Sequence, residues 1–248
     1  MITTFPPPFV ILAIMIVFVI AGTIKGALGV RFPAFAMSVF PIFIVSSFGV
    51  AILAIPILLT NFPQFFTVKG WQPIARRFLL AGGVILVTTF IVAQLTADVT
   101  SRWINIIVGL SLTLFALSSL FKVNIPAKES PHCQIGVGLV SGLIGGIAAV
   151  TAPAMVYAVA LKMPREEFMA AGGFMFFTSG VGLIAGLSTA IVLNSVTLTH
   201  SLGSVVVSQM GFRIGTWIRP KLSERVFRTA LRRTILALGL RLTLVNIM

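Results

Sequence analysis

The chain alternates long apolar runs with short polar segments. Six stretches contain no Asp, Glu, Lys or Arg, and together they hold 177 of the 248 residues. They are residues 1–24, 32–68, 78–97, 103–121, 130–161 and 168–212. A helix crosses the hydrocarbon core of a bilayer in about 20 apolar residues. A membrane β-barrel would instead need strict alternation over about 10 residues, which FVILAIMIVFVIAG does not show. The pattern therefore predicts an all-α, polytopic helical membrane protein.

The apolar pattern repeats after 120 residues. AGTIKGALGVRFPA (21–34) aligns without a gap on SGLIGGIAAVTAPA (141–154), and six of the fourteen positions are identical. Phe48 and Ala51 match Phe168 and Ala171 at the same offset. We therefore expect two transmembrane repeats, 1–121 and 135–248, joined by a polar linker at 122–134.

Each repeat begins with an apolar helix, continues through a Gly-rich segment and reaches a proline before the next apolar run. The glycines, spaced as small-xxx-small pairs, are typical of helix packing contacts. Alternatively, Gly and Pro together mark a broken helix that opens each repeat as a hairpin, and paired breaks point to a transporter's binding site. The predicted helix-break residues are Gly22, Gly26, Pro33, Gly142, Gly146 and Pro153.

The basic residues select one topology. Four simple spans per repeat would place the basic loop near 69–77 and the basic cluster at 213–233 on opposite sides, against the positive-inside bias. A hairpin followed by three spans places 14 of the 18 Lys and Arg on one side. Those segments are 9–25, 33–43, 46–67, 78–96 and 102–121, then 135–149, 153–161, 167–190, 195–213 and 227–247. This odd net number of crossings predicts inverted repeats and an external N-terminus.

The last segment is the weakest span because Arg232, Arg233 and Arg241 interrupt it, so we expect a short or tilted helix with snorkelling arginines. If it does not cross, the C-terminus is cytoplasmic. The N-terminus lacks the positive charge of a signal peptide, so the first apolar segment is expected to remain.

Composition narrows the function classes. The net charge of +13 is explained by cytoplasmic loops, and no nucleic-acid motif accompanies it. The single cysteine allows no internal disulfide. The chain lacks the motifs of zinc proteases, α/β-hydrolases and P-loop proteins, and two histidines with one cysteine make a metal site hard to assemble. We expect neither enzyme activity nor a cofactor.

Polar residues inside apolar runs are the candidates for substrate contact. Lys25 and Arg31 flank the first Gly-rich segment with no acid nearby, and an unpaired cation in the membrane suggests an anion. Thr151 occupies the position equivalent to Arg31. Alternatively, the cations only set topology, and the polar residues form interhelical hydrogen bonds; His200 is expected to be structural. The candidate binding residues are Arg31, Lys25, Thr151, Asn61, Gln64 and Gln209.

Four segments carry a family resemblance. GTIKGALGVRFP, LTNFPQFF (59–66), GLVSGLIGGIAAVTAPAMVYAVALKMPREE and GFRIGTWIRPKLSERVFR occur in this order, and the chain resembles the TauE/SafE family of membrane permeases over essentially its whole length. The first copy has Val30-Arg31-Phe32 where the family commonly has consecutive glycines. The resemblance implies transport of small anions, chiefly sulfite, sulfonates and related sulfur or carboxylate compounds, across the bacterial cytoplasmic membrane.

Three hypotheses follow. The first is a secondary anion transporter that works by alternating access around the paired Gly–Pro segments. The second is an anion channel, and the third is a membrane subunit of a larger transport or enzyme complex. The expected partners are a small anion and the lipid bilayer but no nucleic acid, and the sequence leaves room for a homo-oligomer. It leaves open the anion, the direction and the coupling ion.

Overall fold

The computed structural model describes residues 6–28, 32–66, 70–97, 101–120, 128–190, 193–221 and 224–247. Within these ranges every regular element is helical and no strand occurs, which confirms the all-α class. The helices are α1 (Pro8–Leu28), α2 (Phe32–Val39), α3 (Ser46–Phe66), α4 (Trp71–Arg77), α5 (Leu79–Leu95), α6 (Ser101–Leu120), α7 (Pro131–Ala148), α8 (Ala152–Ala160), α9 (Arg165–Thr189), α10 (Ser195–Ile218) and α11 (Glu224–Ile247). Short 3₁₀ turns follow α2 at Phe40–Ile42 and α10 at Arg219–Lys221.

Several helices have the length and composition of membrane spans. Four in the described part qualify singly: Pro8–Ala27, Ser46–Phe66, Pro131–Ala148 and Glu166–Thr189. Helices α4 and α5, bent by 68° at their junction, qualify together as a fifth. Large apolar side chains at four-residue spacing, such as Leu198, Leu202 and Val206 on α10, are exposed. Such a continuous apolar surface is typical of contact with lipid, as expected for a multi-pass membrane protein.

The start and end of α7 follow from local backbone chemistry. The Ser130 side chain accepts a hydrogen bond from the Cys133 N–H (3.3 Å) and Pro131 occupies the first turn, a favourable helix start. This helix therefore begins inside the predicted linker, whose residues 122–127 lie outside the described ranges. It ends at Ala148, and the next residue, Ala149, adopts a left-handed conformation (φ 55°) and donates to the Gly145 carbonyl at 2.9 Å.

The four predicted helix-break glycines lie inside helices. Gly22 and Gly26 belong to α1, and Gly142 and Gly146 belong to α7. A Cβ atom added at Gly22 would lie 2.2 Å from the Ser208 carbonyl oxygen. Their prediction as break residues is therefore corrected: a missing side chain permits close helix contact without interrupting the helical hydrogen bonds.

The two predicted prolines lie at helix starts. Pro33 is in the first turn of α2 and Pro153 in that of α8, where a proline costs no hydrogen bond. The interruption before α8 comprises residues 149–151. The segment between α1 and α2 (29–31) lies outside the described residues, and the predicted site residue Arg31 lies within it.

Helices from the two halves of the chain interleave. Helix α1 packs on α10, and α7 packs on α5. Gly22 lies against Ser208 and Gly26 against Phe212, so α1 and α10 run parallel. At positions 120 residues away, Gly142 lies against Thr88 and Gly146 against Val92, so α7 and α5 also run parallel. Each residue of the α1–α10 contacts is therefore 120 residues away from its counterpart in the α5–α7 contacts.

Two further contacts join the halves in antiparallel fashion. Between α3 and α9, Gly173 lies against Phe65 and Gly180 against Leu58. Between α6 and α11, Gly109 lies against Thr243, and reciprocally Gly239 lies against Thr113. Helix α5 also packs on α9, and α10 on α3. The central helices α3 and α9 are thus each flanked by a helix of the opposite half.

Candidate functional site

Lys25 lies in the last turn of α1 and is only 5% exposed. Its Nζ atom donates to the Thr60 carbonyl (3.1 Å), to Thr60 Oγ1 (2.8 Å) and to Asn61 Oδ1 (2.9 Å). An ammonium group has three donors, and each has an acceptor here. All three acceptors are neutral and come from α3.

Helix α3 fixes the orientation of these acceptors. Thr60 Oγ1 donates to the Pro56 carbonyl at 2.6 Å, and Asn61 Nδ2 donates to the Ile57 carbonyl at 2.7 Å. Because the hydroxyl proton and one amide proton are engaged within α3, the Oγ1 and Oδ1 atoms are left to accept from Lys25. Helix α3 therefore presents an oxygen surface to the end of α1. We call Lys25, Thr60 and Asn61 the lysine site.

The lysine site has no acidic partner for Lys25 among the described residues. The ion pairs of the described residues join Arg77 to Glu129 and to Glu167, and neither of them includes Lys25. Neutral oxygens orient an ammonium group but do not cancel its charge, and burying an uncompensated charge is costly. An anion that binds beside Lys25 would reduce this cost.

A second polar cluster surrounds Gly145, in the last turn of α7, and its hydroxyl groups come from both halves of the chain. A Cβ atom added at Gly145 would lie 3.0 Å from Ser179 Oγ, 3.3 Å from Thr89 Oγ1 and 3.7 Å from Thr151 Oγ1. Thr151 donates to Ser179 Oγ at 3.1 Å, and Thr89 donates to the Gly142 carbonyl at 3.4 Å. We call Thr89, Thr151 and Ser179 the hydroxyl cluster.

The hydroxyl cluster is enclosed by three helices and is shielded from the surface. Thr89 belongs to α5, Ser179 to α9, and Thr151 immediately precedes α8. All three side chains are buried. Ser141, one turn before Gly145 on the same face of α7, is also fully buried, and its Oγ atom has no hydrogen-bond partner. Buried hydroxyls usually find a partner, so this region has unused polar capacity.

The structure distributes the predicted site residues over different environments. Lys25 and Asn61 come together in the lysine site, whereas Thr151 joins the hydroxyl cluster. Gln64 is half-buried and donates from Nε2 to the Met169 carbonyl at 3.2 Å, which links α3 to α9.

Gln209 is exposed on α10 and belongs to neither cluster, so its role as a site residue stays a prediction. The buried face of α10 passes through Ser204, Ser208 and Gly211, and the next residue after Ser208 is rotated about 100° away from it. His200 lies on the buried face, where Nδ1 is 2.7 Å from the Val196 carbonyl and the ring packs edge-on against Phe48.

Sequence reasoning missed four residues of the two clusters: Thr60, Thr89, Ser179 and Gly145. The hydroxyl side chains stand in charge-free apolar runs, where Ser and Thr are common helix residues and give no distinctive signal. Gly145 could have been found, because it occupies the repeat position equivalent to Lys25. In the described part of the chain, no group of three or more His, Cys, Asp or Glu side chains could hold a metal ion.

Comparison with known proteins gives one family. The family model described as "Sulfite exporter TauE/SafE" matches residues 14–242, nearly the whole chain. Neither the curated proteins nor the solved structures include a match.

Proposed function

The chain belongs to the TauE/SafE sulfite exporter family, and from this premise we propose that it is a secondary transporter of a small anion. Membership of this family makes transport, and not catalysis, the expected activity. The proposed substrates are sulfite, a sulfonate or a related sulfur or carboxylate anion. The proposed location is the bacterial cytoplasmic membrane.

The observation that carries the proposal is the burial of the Lys25 amino group without a carboxylate partner among the described residues. This ammonium group is buried among neutral oxygens, and no carboxylate of the described residues reaches it. Two unit charges 4 Å apart attract each other by roughly 4 kcal/mol at the effective dielectric constant of 20 that suits partly polar protein sites. An anion next to Lys25 recovers enough energy to offset part of its own loss of water. We propose that the substrate binds at the lysine site, with Asn61 contributing an amide donor.

Inverted repeats supply the proposed mechanism. Ser201 of α10 donates to the Ile52 carbonyl of α3, and Lys25, next to the Gly26–Phe212 contact, donates to Asn61 of α3, so α1 and α10 run parallel to α3. Helix α9 runs antiparallel to α3, and α5 and α7 follow the direction of α9. Helices α1, α3, α5 and α6 then have equivalents of opposite direction in α7, α9, α10 and α11. The assignment is supported by the α1–α10 and α5–α7 contacts, because each residue of one contact is 120 residues away from its counterpart in the other. We propose that the two halves exchange conformations, so that the site opens alternately to each side of the membrane.

The remaining predicted residues keep defined places in this proposal. Arg31 follows α1 by three residues and is proposed as a second cation for the anion, with a forked donor suited to sulfonate oxygens. Thr151 is proposed to contribute to transport as a member of the hydroxyl cluster. Gln64 is proposed to stabilise the contact between α3 and α9.

Binding to Lys25 is tested by its replacement. Purified protein is titrated with sulfite at constant ionic strength, and binding is followed by thermal shift. Lys25→Met is expected to weaken sulfite binding about 10- to 100-fold, since it removes the charge that attracts the anion, an attraction of at most roughly 4 kcal/mol. Lys25→Arg retains the charge and is expected to bind with intermediate affinity. Lys162→Met, at an exposed lysine, is the matched control.

Parent-like sulfite affinity of a folded Lys25→Met variant would contradict the placement of the substrate. The transport mechanism is tested separately in proteoliposomes preloaded with unlabelled sulfite. A transporter exchanges internal for external sulfite and accumulates label transiently, whereas a channel only dissipates the gradient. Simple dissipation would therefore contradict the transporter proposal.

A further inference from the structure

Lys25 and Gly145 occupy equivalent places in the two halves. They are 120 residues apart, and each lies in the last turn of the first helix of its half. The neighbouring contacts are also equivalent. Gly26 lies against Phe212 and Gly146 against Val92, and both members of one contact are 120 residues away from those of the other. One position carries a cation on a flexible side chain, and the other carries no side chain.

The surroundings of the two positions are also chemically alike. Lys25 is held by neutral oxygens of α3, and the space beside Gly145 is bordered by neutral oxygens of Thr89, Thr151 and Ser179. The C-terminal end of a helix carries a partial negative charge that favours cations. Helix α7 ends at Ala148, and the Ala149 N–H donates to the Gly145 carbonyl, so the carbonyl groups of residues 146–148 have no N–H partner within the helix. Both sites are therefore suited to a positive charge.

We propose that the hydroxyl cluster binds a monovalent alkali cation, Na⁺, which occupies in the second half the place that the Lys25 ammonium group occupies in the first. The oxygens available to it are Thr89 Oγ1, Thr151 Oγ1 and Ser179 Oγ, together with carbonyl groups at the end of α7. Hard cations prefer oxygen ligands, and hydroxyl groups can rotate their protons away from a cation. The inference rests on the proposed transport function, for which this cation is the coupling ion.

Charge decides which ion suits the cluster. Calcium and magnesium sites include carboxylates, and no carboxylate belongs to this cluster. Neutral oxygens compensate a single charge better than a double charge. An anion could accept from the same hydroxyl groups, but the carbonyl end of α7 opposes negative charge. The C-terminal ends of interrupted helices coordinate Na⁺ in other transporter folds, and residues 146–151 are likewise a helix end followed by an interruption.

The test measures Na⁺ binding without substrate. The full-length purified protein is titrated with NaCl against choline chloride at constant ionic strength, and the midpoint of thermal unfolding is recorded. NaCl is expected to raise the midpoint in a saturable manner. Ser179→Ala and Thr151→Val each remove one oxygen, and the Na⁺ concentration for half-maximal stabilisation is expected to rise at least tenfold. Gly145→Ala places a methyl group between the three hydroxyls and is expected to abolish the response.

Ser208→Ala is the matched control, because its buried hydroxyl donates to the Val205 carbonyl of its own helix at 2.9 Å. This variant is expected to keep the Na⁺ response of the parent. Equal stabilisation of the parent by NaCl and choline chloride would overturn the proposal, as would an unchanged response in folded Ser179→Ala. Sulfite binding is measured on the same samples. If the parent binds sulfite but shows no Na⁺ response, only the cation site is rejected. If the parent does not bind sulfite, the proposed transport function is rejected.

Discussion

A single arginine, Arg77, joins three parts of the chain at one end of the helix bundle. Its Nη1 atom donates to Glu167 Oε2 at 2.8 Å and its Nε atom to Glu129 Oε2 at 2.6 Å, with a further contact from Nη2 to Glu129. The Arg77 carbonyl accepts from Gln134 Nε2 at 3.0 Å. The corner between α4 and α5, the linker and the starts of α7 and α9 are therefore held together by polar contacts.

The Arg77 contacts predict an acid dependence of stability. Hydrogen bonding and charge from Arg77 lower the pKa of Glu129 below its ordinary value of 4.5. A lowered pKa in the folded state stabilises the protein above the ordinary value, and this contribution is lost as the pH falls through 4.5 and below the folded pKa. Both side chains are about a third exposed, so the contribution is about 1 kcal/mol or less.

Thermal unfolding measured between about pH 6 and pH 3 is expected to show a shallower acid loss for Arg77→Gln than for the parent. Arg102→Gln is the matched control, because Arg102 donates to the backbone carbonyls of Asn246 and Ile247 and, among the described residues, to no carboxylate. A parent-like slope in Arg77→Gln would show that the ion pair does not contribute to stability.

Burial of single residues was only partly predictable. Asn61 and Gln209 both stand in apolar runs, yet one is buried beside Lys25 and the other is exposed. In a water-soluble helix, the polar face would identify the exposed side. Here lipid and protein interior are both apolar, so the sequence pattern does not distinguish the two faces of α10. The partners of Lys25 depend on how α1 docks on α3, which local sequence does not specify.

At the level of helices, close backbone contact defines the pairing of α1 with α10. A Cβ atom at Gly22 would lie 2.2 Å from the Ser208 carbonyl oxygen, and one at Gly215 would lie 2.1 Å from the Thr23 carbonyl oxygen. Backbone atoms cannot move aside as a flexible side chain can. These two helices therefore approach each other as closely as their glycines permit.

Gly22→Ala is expected to destabilise the protein by about 1–3 kcal/mol, the usual cost of overpacking. Gly83→Ala is the matched control, since Gly83 is an exposed residue within α5 and an added Cβ would meet nothing within 4 Å. That control is expected to be neutral or to stabilise by about 0.4–1 kcal/mol. Thermal unfolding of both variants gives the comparison, and equal midpoints would refute the importance of the α1–α10 contact.

Helix positions were more predictable than helix contacts. Runs without charge, prolines in first turns and caps such as Ser130 act within a few residues, so they can be read from a single sequence. The four glycines could not be placed in the same way, because a glycine in an interrupted helix and a glycine in a tight contact look alike. Only the opposing backbone of Ser208 or the side chain of Thr88 distinguishes the two cases.

For the whole molecule, the helix directions predict which loops share a side of the membrane. Helices α3 and α10 have the same direction, so the segments after them are expected to be cytoplasmic together. In a Cys133→Ser background, cysteines at Gln72 and at Leu222, the latter outside the described residues, are expected to react from the cytoplasmic side only. Ser195→Cys, at the start of α10, is expected to react from the external side. Labelling of positions 72 and 222 from opposite sides would contradict the inverted arrangement.

The pairing of α1 with α10 also bears on how the protein is made. Gly22 and Ser208 are 186 residues apart in the chain, which a ribosome covers in roughly 10–40 s at 5–20 residues per second. During this interval the glycine face of α1 lies in the membrane without α10 to pack against, and α3 likewise lacks α9. Neither half can complete its packing from its own helices. We therefore expect the nascent first half to remain incompletely packed, and accessible to the insertion and quality-control machinery, until α10 has been synthesised.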